Sequence, residues 1–115
     1  MEIKLIVIRT GDAERLSGLY SFLGLSFEHH QHGKSPFHYS ATLGNTVFEI
    51  YPLTKNQTEA DASLRLGFAL DNFDSTIELM KANETVFVAE PIDTEFGYMA
   101  TVEDTDGRKI ELYRK

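Results

Sequence analysis

The chain has 115 residues, 42% of them hydrophobic and 25% charged, enough for one compact core and without the compositional bias of a disordered chain. Lys and Arg total 11 against 18 Asp and Glu, a formal charge of −7, and no basic run occurs, so the cationic face that nucleic acid requires is excluded. With no cysteine, disulfides, thiolate metal sites and cysteine nucleophiles are excluded too.

Residues 3–9 are rich in β-branched side chains and predict a buried strand. The apolar run from Leu5 to Ile8 is far too short for a signal segment or a membrane span, and a cytoplasmic location is expected. Gly11-Asp12 breaks the strand, and Asp12 suits a helix N-cap. Leu16, Leu19, Tyr20 and Leu23 then recur at helical spacing, and Gly24 suits the C-terminal end. Residues 25–29 predict a second strand, 33–36 a turn, 37–43 a third strand, Gly44-Asn45 a tight hairpin turn and 46–51 a fourth strand, which Pro52 stops. Residues 53–63 are polar and predict a linker. The pattern then restarts: a strand over 64–70, a cap at Asp71-Asn72, and a helix with Phe73, Ile77 and Met80 on one face. A strand follows over 85–89, then a loop over 91–96, a strand over 98–103, a turn over 104–107 and a strand over 108–113.

The restart is visible in residues as well. Tyr39-Ser40-Ala41-Thr42-Leu43 recurs 59 residues later as Tyr98-Met99-Ala100-Thr101-Val102, and Phe48-Glu49-Ile50-Tyr51 recurs 62 residues later as Ile110-Glu111-Leu112-Tyr113. The three additional residues fall in the second hairpin turn. One supersecondary module is therefore used twice, giving a single domain over 1–115 with module one at 1–52, the linker at 53–63 and module two at 64–115.

Gly11-Asp12 leading to Leu19-Tyr20 and Leu23-Gly24-Leu25, then Val47-Phe48-Glu49-Ile50, and finally Val102 to Leu112 with Asp104-Thr105-Asp106-Gly107, form a set in a fixed order. In that set the chain resembles the vicinal-oxygen-chelate superfamily of glyoxalases, bleomycin-resistance proteins and extradiol dioxygenases. The resemblance covers nearly the whole chain. It implies an α+β fold of two βαβββ modules whose curled mixed sheets enclose a cleft, a small-molecule ligand, no membrane partner and a homodimer.

Metal-dependent members of that family carry one ligand on the first and last strand of each module, which the resemblance places here at Leu5, Glu49, Arg65 and Glu111. Leu5 offers no donor atom, and Arg65 is permanently cationic with no lone pair. Two carboxylates alone make a weak site for an ion that wants three or four ligands. The family metal is therefore expected to be absent. Arg65 is expected to pair with Glu49, Glu111 or both, either as a buried bridge in place of the ion or as a reader of an anionic ligand group.

Strand alternation places Val47, Glu49 and Tyr51, and likewise Lys109, Glu111 and Tyr113, on the face away from the helices. By the same rule Leu64, Leu66, Phe68 and Leu70 pack under a helix, and Arg65, Gly67 and Ala69 face the cleft with room beside them. His38 alternates with Ser40 and Thr42 and offers an imidazole as a cleft acid or base, although a surface or hydrogen-bonded histidine is the plainer expectation. His29, His30 and His32 are expected to be solvated loop histidines. Tyr39 and Tyr98 hold equivalent places in the repeat, Phe96 sits in a loop of the kind that covers the cleft, and Phe22, Phe27 and Phe87 suit the core. No Gly-rich phosphate loop or nucleophile elbow is present. The candidate cleft residues are thus Glu49, Arg65, Glu111, Tyr51, Tyr113, His38 and Phe96. They point to a metal-free small-molecule-binding protein, with a metal-dependent enzyme of the lactoylglutathione-lyase or extradiol-dioxygenase class as the alternative.

Overall fold

A computed structural model describes all residues 1–115. The chain forms two compact units, Met1–Ala60 and Asp61–Lys115, which divide within the polar stretch read as a linker. Each unit holds one helix and one open four-stranded mixed sheet.

In the first unit β1 (Leu5–Thr10) leads into α1 (Ala13–Ser21), and β2 (Glu28–His30), β3 (His38–Leu43) and β4 (Thr46–Pro52) complete a sheet of order β1-β4-β3-β2. β1 and β4 run parallel, which the intervening helix permits, while β2, β3 and β4 are antiparallel neighbours. Asp12 caps α1 as its sequence position implies, its carboxylate accepting the Arg15 amide at 3.1 Å. The helix ends at Ser21 and tightens through Phe22 and Leu23 to Gly24, which turns the chain at a φ of 100°. Ile8, Ala41, Phe48 and Ile50 from the sheet and Leu16, Leu19 and Tyr20 from the helix form the buried layer. The Tyr20 and Phe48 rings meet at 5.0 Å, and Phe27 meets Phe48 at 6.3 Å.

The second unit repeats the plan with β5 (Leu66–Leu70), α2 (Phe73–Ala82), β6 (Val86–Thr94), β7 (Gly97–Glu103) and β8 (Lys109–Arg114), in the order β5-β8-β7-β6. β5 and β8 are parallel, and the remaining neighbours are antiparallel. Its buried layer is Leu70, Phe73, Ile77, Met80, Ala100, Val102, Ile110 and Leu112.

The βαβββ repeat and the α+β class read from sequence are both present. Several local expectations need correction. Residues 91–96 are not a loop: β6 continues through Pro91 to Thr94, its ladder shifting register between Phe87 and Ala89 and again between Ala89 and Ile92. Bulges absorb the proline, which has no N–H to donate. Pro52 closes β4 from within it, paired to Thr10, instead of stopping it one residue earlier. Tyr39 and Tyr98 are not structural equivalents. Tyr39 lies opposite Ile50, whereas Leu112, the counterpart of Ile50, lies opposite Ala100. The sequence match is out by one pleat, two residues, which keeps both tyrosines on the helix side. Leu64 is exposed and precedes β5, and Leu66 and Phe68 are half-buried, so only Leu70 of that apolar set is fully covered. Phe22, Phe27 and Phe87 are likewise half-buried, not core.

The two β-hairpin turns differ in length, with residues 44–45 between β3 and β4 and residues 104–108 between β7 and β8. Gly44-Asn45 closes β3–β4 with Gly44 at a φ of 59°, the geometry of a two-residue turn with glycine in its first central place. Residues 104–108 close β7–β8 around a buried ion pair. The Asp104 carboxylate accepts the backbone amides of Asp106 and Arg108 at 2.8 and 3.0 Å, and the Arg108 guanidinium donates to Asp104 at 3.1 Å and Asp106 at 3.0 Å.

Candidate functional site

Strand register defines, in each unit, the sheet face turned away from the helix. In the first unit Val7, Glu49 and Ser40 lie in one row across β1, β4 and β3, and Arg9 and Tyr51 in the next. His38 and His30, paired across β3 and β2, share that face. In the second unit Gly67, Glu111 and Thr101 form the matching row, with Ala69, Tyr113 and Met99 beside it. The repeat thus presents a glutamate and a tyrosine two residues apart on the central strand β4 and again on β8.

The two glutamates have different partners. Glu111 accepts a hydrogen bond from Arg65 Nε at 2.5 Å and another from the Tyr113 hydroxyl at 2.5 Å. The tyrosine hydroxyl, with the largest effect, and Arg65 hold the Glu111 carboxyl below its ordinary pKa, against the opposing effect of burial, which ranks second. The same hydrogen bond pushes the Tyr113 phenol up. Tyr113 reaches Glu111 because its ring lies over Gly67, where a Cβ would stand 3.4 Å from the ring carbon Cε2. The space expected beside Arg65 is thus occupied by Tyr113 at Gly67. Arg65 itself lies just before β5 and its side chain is 53% exposed, against 22% for Glu111, so the ion pair is partly solvated and not the buried bridge that one reading required.

Glu49 sits instead beside His38, with Oε2 at 3.4 Å from the imidazole Nε2. His38 is fully buried and its Nδ1 lies 3.0 Å from the Pro36 carbonyl, so of the two plainer expectations it is the hydrogen-bonded histidine and not the surface one. Its ring stacks on Tyr51 at 4.2 Å, and Arg9 covers the same tyrosine at 5.0 Å while donating to the Pro52 carbonyl at 3.0 Å. Phe96 stands at the β6–β7 turn with 74% of its surface exposed. His29 is exposed and stacked on Tyr39 at 4.5 Å. His32 is exposed on the connection after β2, as expected, whereas His30 is half-buried on β2; with His38 they bring one ring nitrogen each within 4.8 Å of one another. Sequence reasoning set these three apart because the irregular connection 31–37 hides the ladder register that pairs His30 with His38.

The donor set at the family's metal positions does not fit a metal ion. Leu5 and Arg65 supply no lone pair, and the residues directly across the ladder from Glu49 and Glu111 are Val7 and Gly67, which supply none either. A shift of the assignment by two residues on either strand therefore leaves the same deficit.

Replacing Tyr113 with phenylalanine should raise the Glu111 pKa toward the ordinary carboxylate range, because the largest stabiliser of its anion is lost. The sign follows from linkage. A carboxyl depressed in the folded state contributes stability above its unfolded pKa, and that contribution disappears as pH falls through the folded pKa. Carboxyl ¹³C titration of wild type and variant measures the shift, and an unchanged midpoint would refute the assignment.

Comparison with known proteins agrees with this architecture. Residues 2–112 match the model of the Glyoxalase/Bleomycin resistance protein/Dioxygenase superfamily, so the chain belongs to that superfamily. Among curated proteins none gives a significant match. Solved structures of similar fold include TnmS3, an antibiotic-binding protein from Streptomyces sp. CB03234, with a TM-score of 0.76, 20% identity, and coverage of 99% of this chain and 95% of that one. The oxidase ChaP-H2 gives a TM-score of 0.76 at 16% identity over 100% of this chain and 94% of that one. TioX from Micromonospora sp. ML1 gives 0.75 at 16% identity over 99% and 98%. At these identities the likeness establishes the fold. No helix is long and apolar enough to cross a membrane.

Proposed function

We propose that the chain is a small-molecule-binding protein of the glyoxalase and bleomycin-resistance type that holds an organic ligand without the metal its enzymatic relatives use. The observation that carries this reading is the donor set described above: two carboxylates, one of them already engaged by Arg65 and Tyr113, opposite residues with no lone pair to give. The groups offered to a ligand are Glu49, Tyr51 and His38 on the sheet face of the first unit and, on the second unit taken by itself, Arg65, Glu111 and Tyr113. Glu111 neutralises Arg65, and the net charge of −7 then favours a cationic or neutral aromatic ligand, steered by charge and stacked on tyrosine. The antibiotic-binding role given for TnmS3 is of this class. A cytoplasmic homodimer is the assembly that accompanies the reading.

A thermal-shift screen of cationic and neutral heteroaromatic compounds tests it. Arg65→Met should leave folding stability within about 1 kcal/mol, since exposed ion pairs are worth little, and weaken a hit from the screen by about tenfold or more, the scale of one charge-assisted contact. A variant unchanged in both respects removes Arg65 from the site. Calorimetric titration with Zn²⁺, Ni²⁺, Mn²⁺ and Fe²⁺ separates the enzyme alternative: tight one-to-one binding abolished by Glu111→Ala would overturn the metal-free reading and direct attention to isomerase and dioxygenase assays.

A further inference from the structure

His30, His32 and His38 occur on β2, on the connection after it and on β3, all in the first unit, and none of them is one of the four family metal positions. The ring pairs lie at 4.6 Å for His30 and His32, 4.9 Å for His30 and His38, and 5.3 Å for His32 and His38. Two further observations separate this cluster from a chance gathering of imidazoles. His38 Nδ1 lies 3.0 Å from the Pro36 carbonyl, which can only accept, so the proton belongs on Nδ1 and the neutral ring turns an Nε2 lone pair inward. That Nε2 is buried with no hydrogen-bond partner, and so is Nδ1 of His30. Buried polar atoms without partners are rare and ask for a reason. A backbone carbonyl holding one histidine nitrogen while the other is left free is the usual way a metal ligand is oriented.

From this geometry we propose that His30, His32 and His38 form a binding site for a late first-row divalent metal ion of the zinc type. Three imidazoles suit zinc, nickel, copper or cobalt and disfavour magnesium or calcium, which take oxygen ligands. Zinc bound by nitrogens at about 2.0–2.1 Å holds them roughly 3.4 Å apart in a tetrahedron. The present spread of up to 4.8 Å therefore closes by small ring movements, helped by the exposure of His32. Three protein ligands leave a fourth position, and the Glu49 carboxylate, 3.4 Å from His38 Nε2, stands beside it. The ion would fasten the 31–37 connection to β2 and β3 and place a cation on the sheet face that carries Tyr51 and Glu49. This site shares His38 with the proposed ligand face and has Glu49 beside it, but it does not use Arg65 or Glu111, whose variants test the ligand-binding reading separately.

The test uses the whole chain without a polyhistidine tag, stripped of metal and titrated calorimetrically with ZnCl₂. The expected result is one equivalent bound. His32→Ala should weaken binding by at least about 100-fold, as befits loss of a ligand; His32 is exposed, so this variant keeps its fold. His29→Ala and Glu111→Ala should bind as wild type does. Zinc-edge X-ray absorption of the loaded protein should show imidazole scattering from three rings. Absence of saturable one-to-one binding overturns the site, in which case the His38–Glu49 approach is an ion pair only. Binding that survives His32→Ala, or that is lost in Glu111→Ala, overturns it as well and locates the ion elsewhere.

Discussion

Asp104→Ala is expected to destabilise the protein by about 3–5 kcal/mol, the range for breaking a buried ion pair from one side. The Asp104 side chain is fully buried and that of Arg108 is 2% exposed. One carboxylate oxygen holds two backbone amides of the turn, and the other receives the guanidinium. Truncation leaves those amides without their acceptor and leaves a buried cation with Asp106, whose own side chain is 18% exposed, as its remaining carboxylate in this turn. Urea unfolding should show an earlier midpoint at an unchanged slope. Asp106→Ala should cost less, because its carboxylate keeps some hydration. A double variant with apolar residues at 104 and 108 should recover part of the loss, since it removes the buried guanidinium together with the carboxylate it pairs with. A loss under about 1 kcal/mol for Asp104→Ala would mean that the turn is held chiefly by its backbone.

Phe48→Ala should cost about 3–5 kcal/mol through loss of transfer free energy and the cavity left behind. Phe48 is fully buried in the middle of the first sheet, between Tyr20 on α1 and Phe27 in the approach to β2. Its removal unseats one aromatic contact to the helix and one to the chain leading into β2. Phe48→Leu should cost markedly less, as a volume-retaining change. Phe48 and Asp104 lie in different compact units. Thermal or urea unfolding of the two variants therefore also reports on cooperativity: a single shifted transition in both means the units unfold together, and two transitions, each moved by one variant, mean they do not. A loss under about 1 kcal/mol would place Phe48 outside the packing that stabilises the first unit.

The architecture was legible in the sequence because it rests on short-range rules that repeat. A period-two apolar pattern, a helical stripe, Asp12 as a cap and Gly44-Asn45 as a turn each specify local geometry, and their recurrence after residue 60 specifies two modules. The misreadings have physical causes. Pro91 normally argues against a strand, yet an outermost strand can carry it where a bulge interrupts the ladder. The Tyr39 and Tyr98 match was misleading because a slip of two residues preserves the side-chain face, so alternation alone cannot detect it. At the site, Glu49, Glu111, Tyr51 and Tyr113 were placed on the correct face by alternation. The partner of each carboxylate depends on side-chain reach, and the sequence does not contain that. Asp104-x-Asp106-Gly107-Arg108 was legible as a turn, but the burial of its ion pair was not, since charged residues in turns are ordinarily solvated.

β6 carries exposed Val86, Val88 and Ile92 along the outer margin of its sheet, a combination that in a regular strand would invite self-templated growth from one molecule to the next. Its two breaks in register and Pro91 interrupt the row of backbone donors and acceptors that such growth must copy. The irregular stretch that hid the second half of this strand from sequence reading thus also guards its margin: apolar side chains are exposed there, but the backbone between them is a poor template.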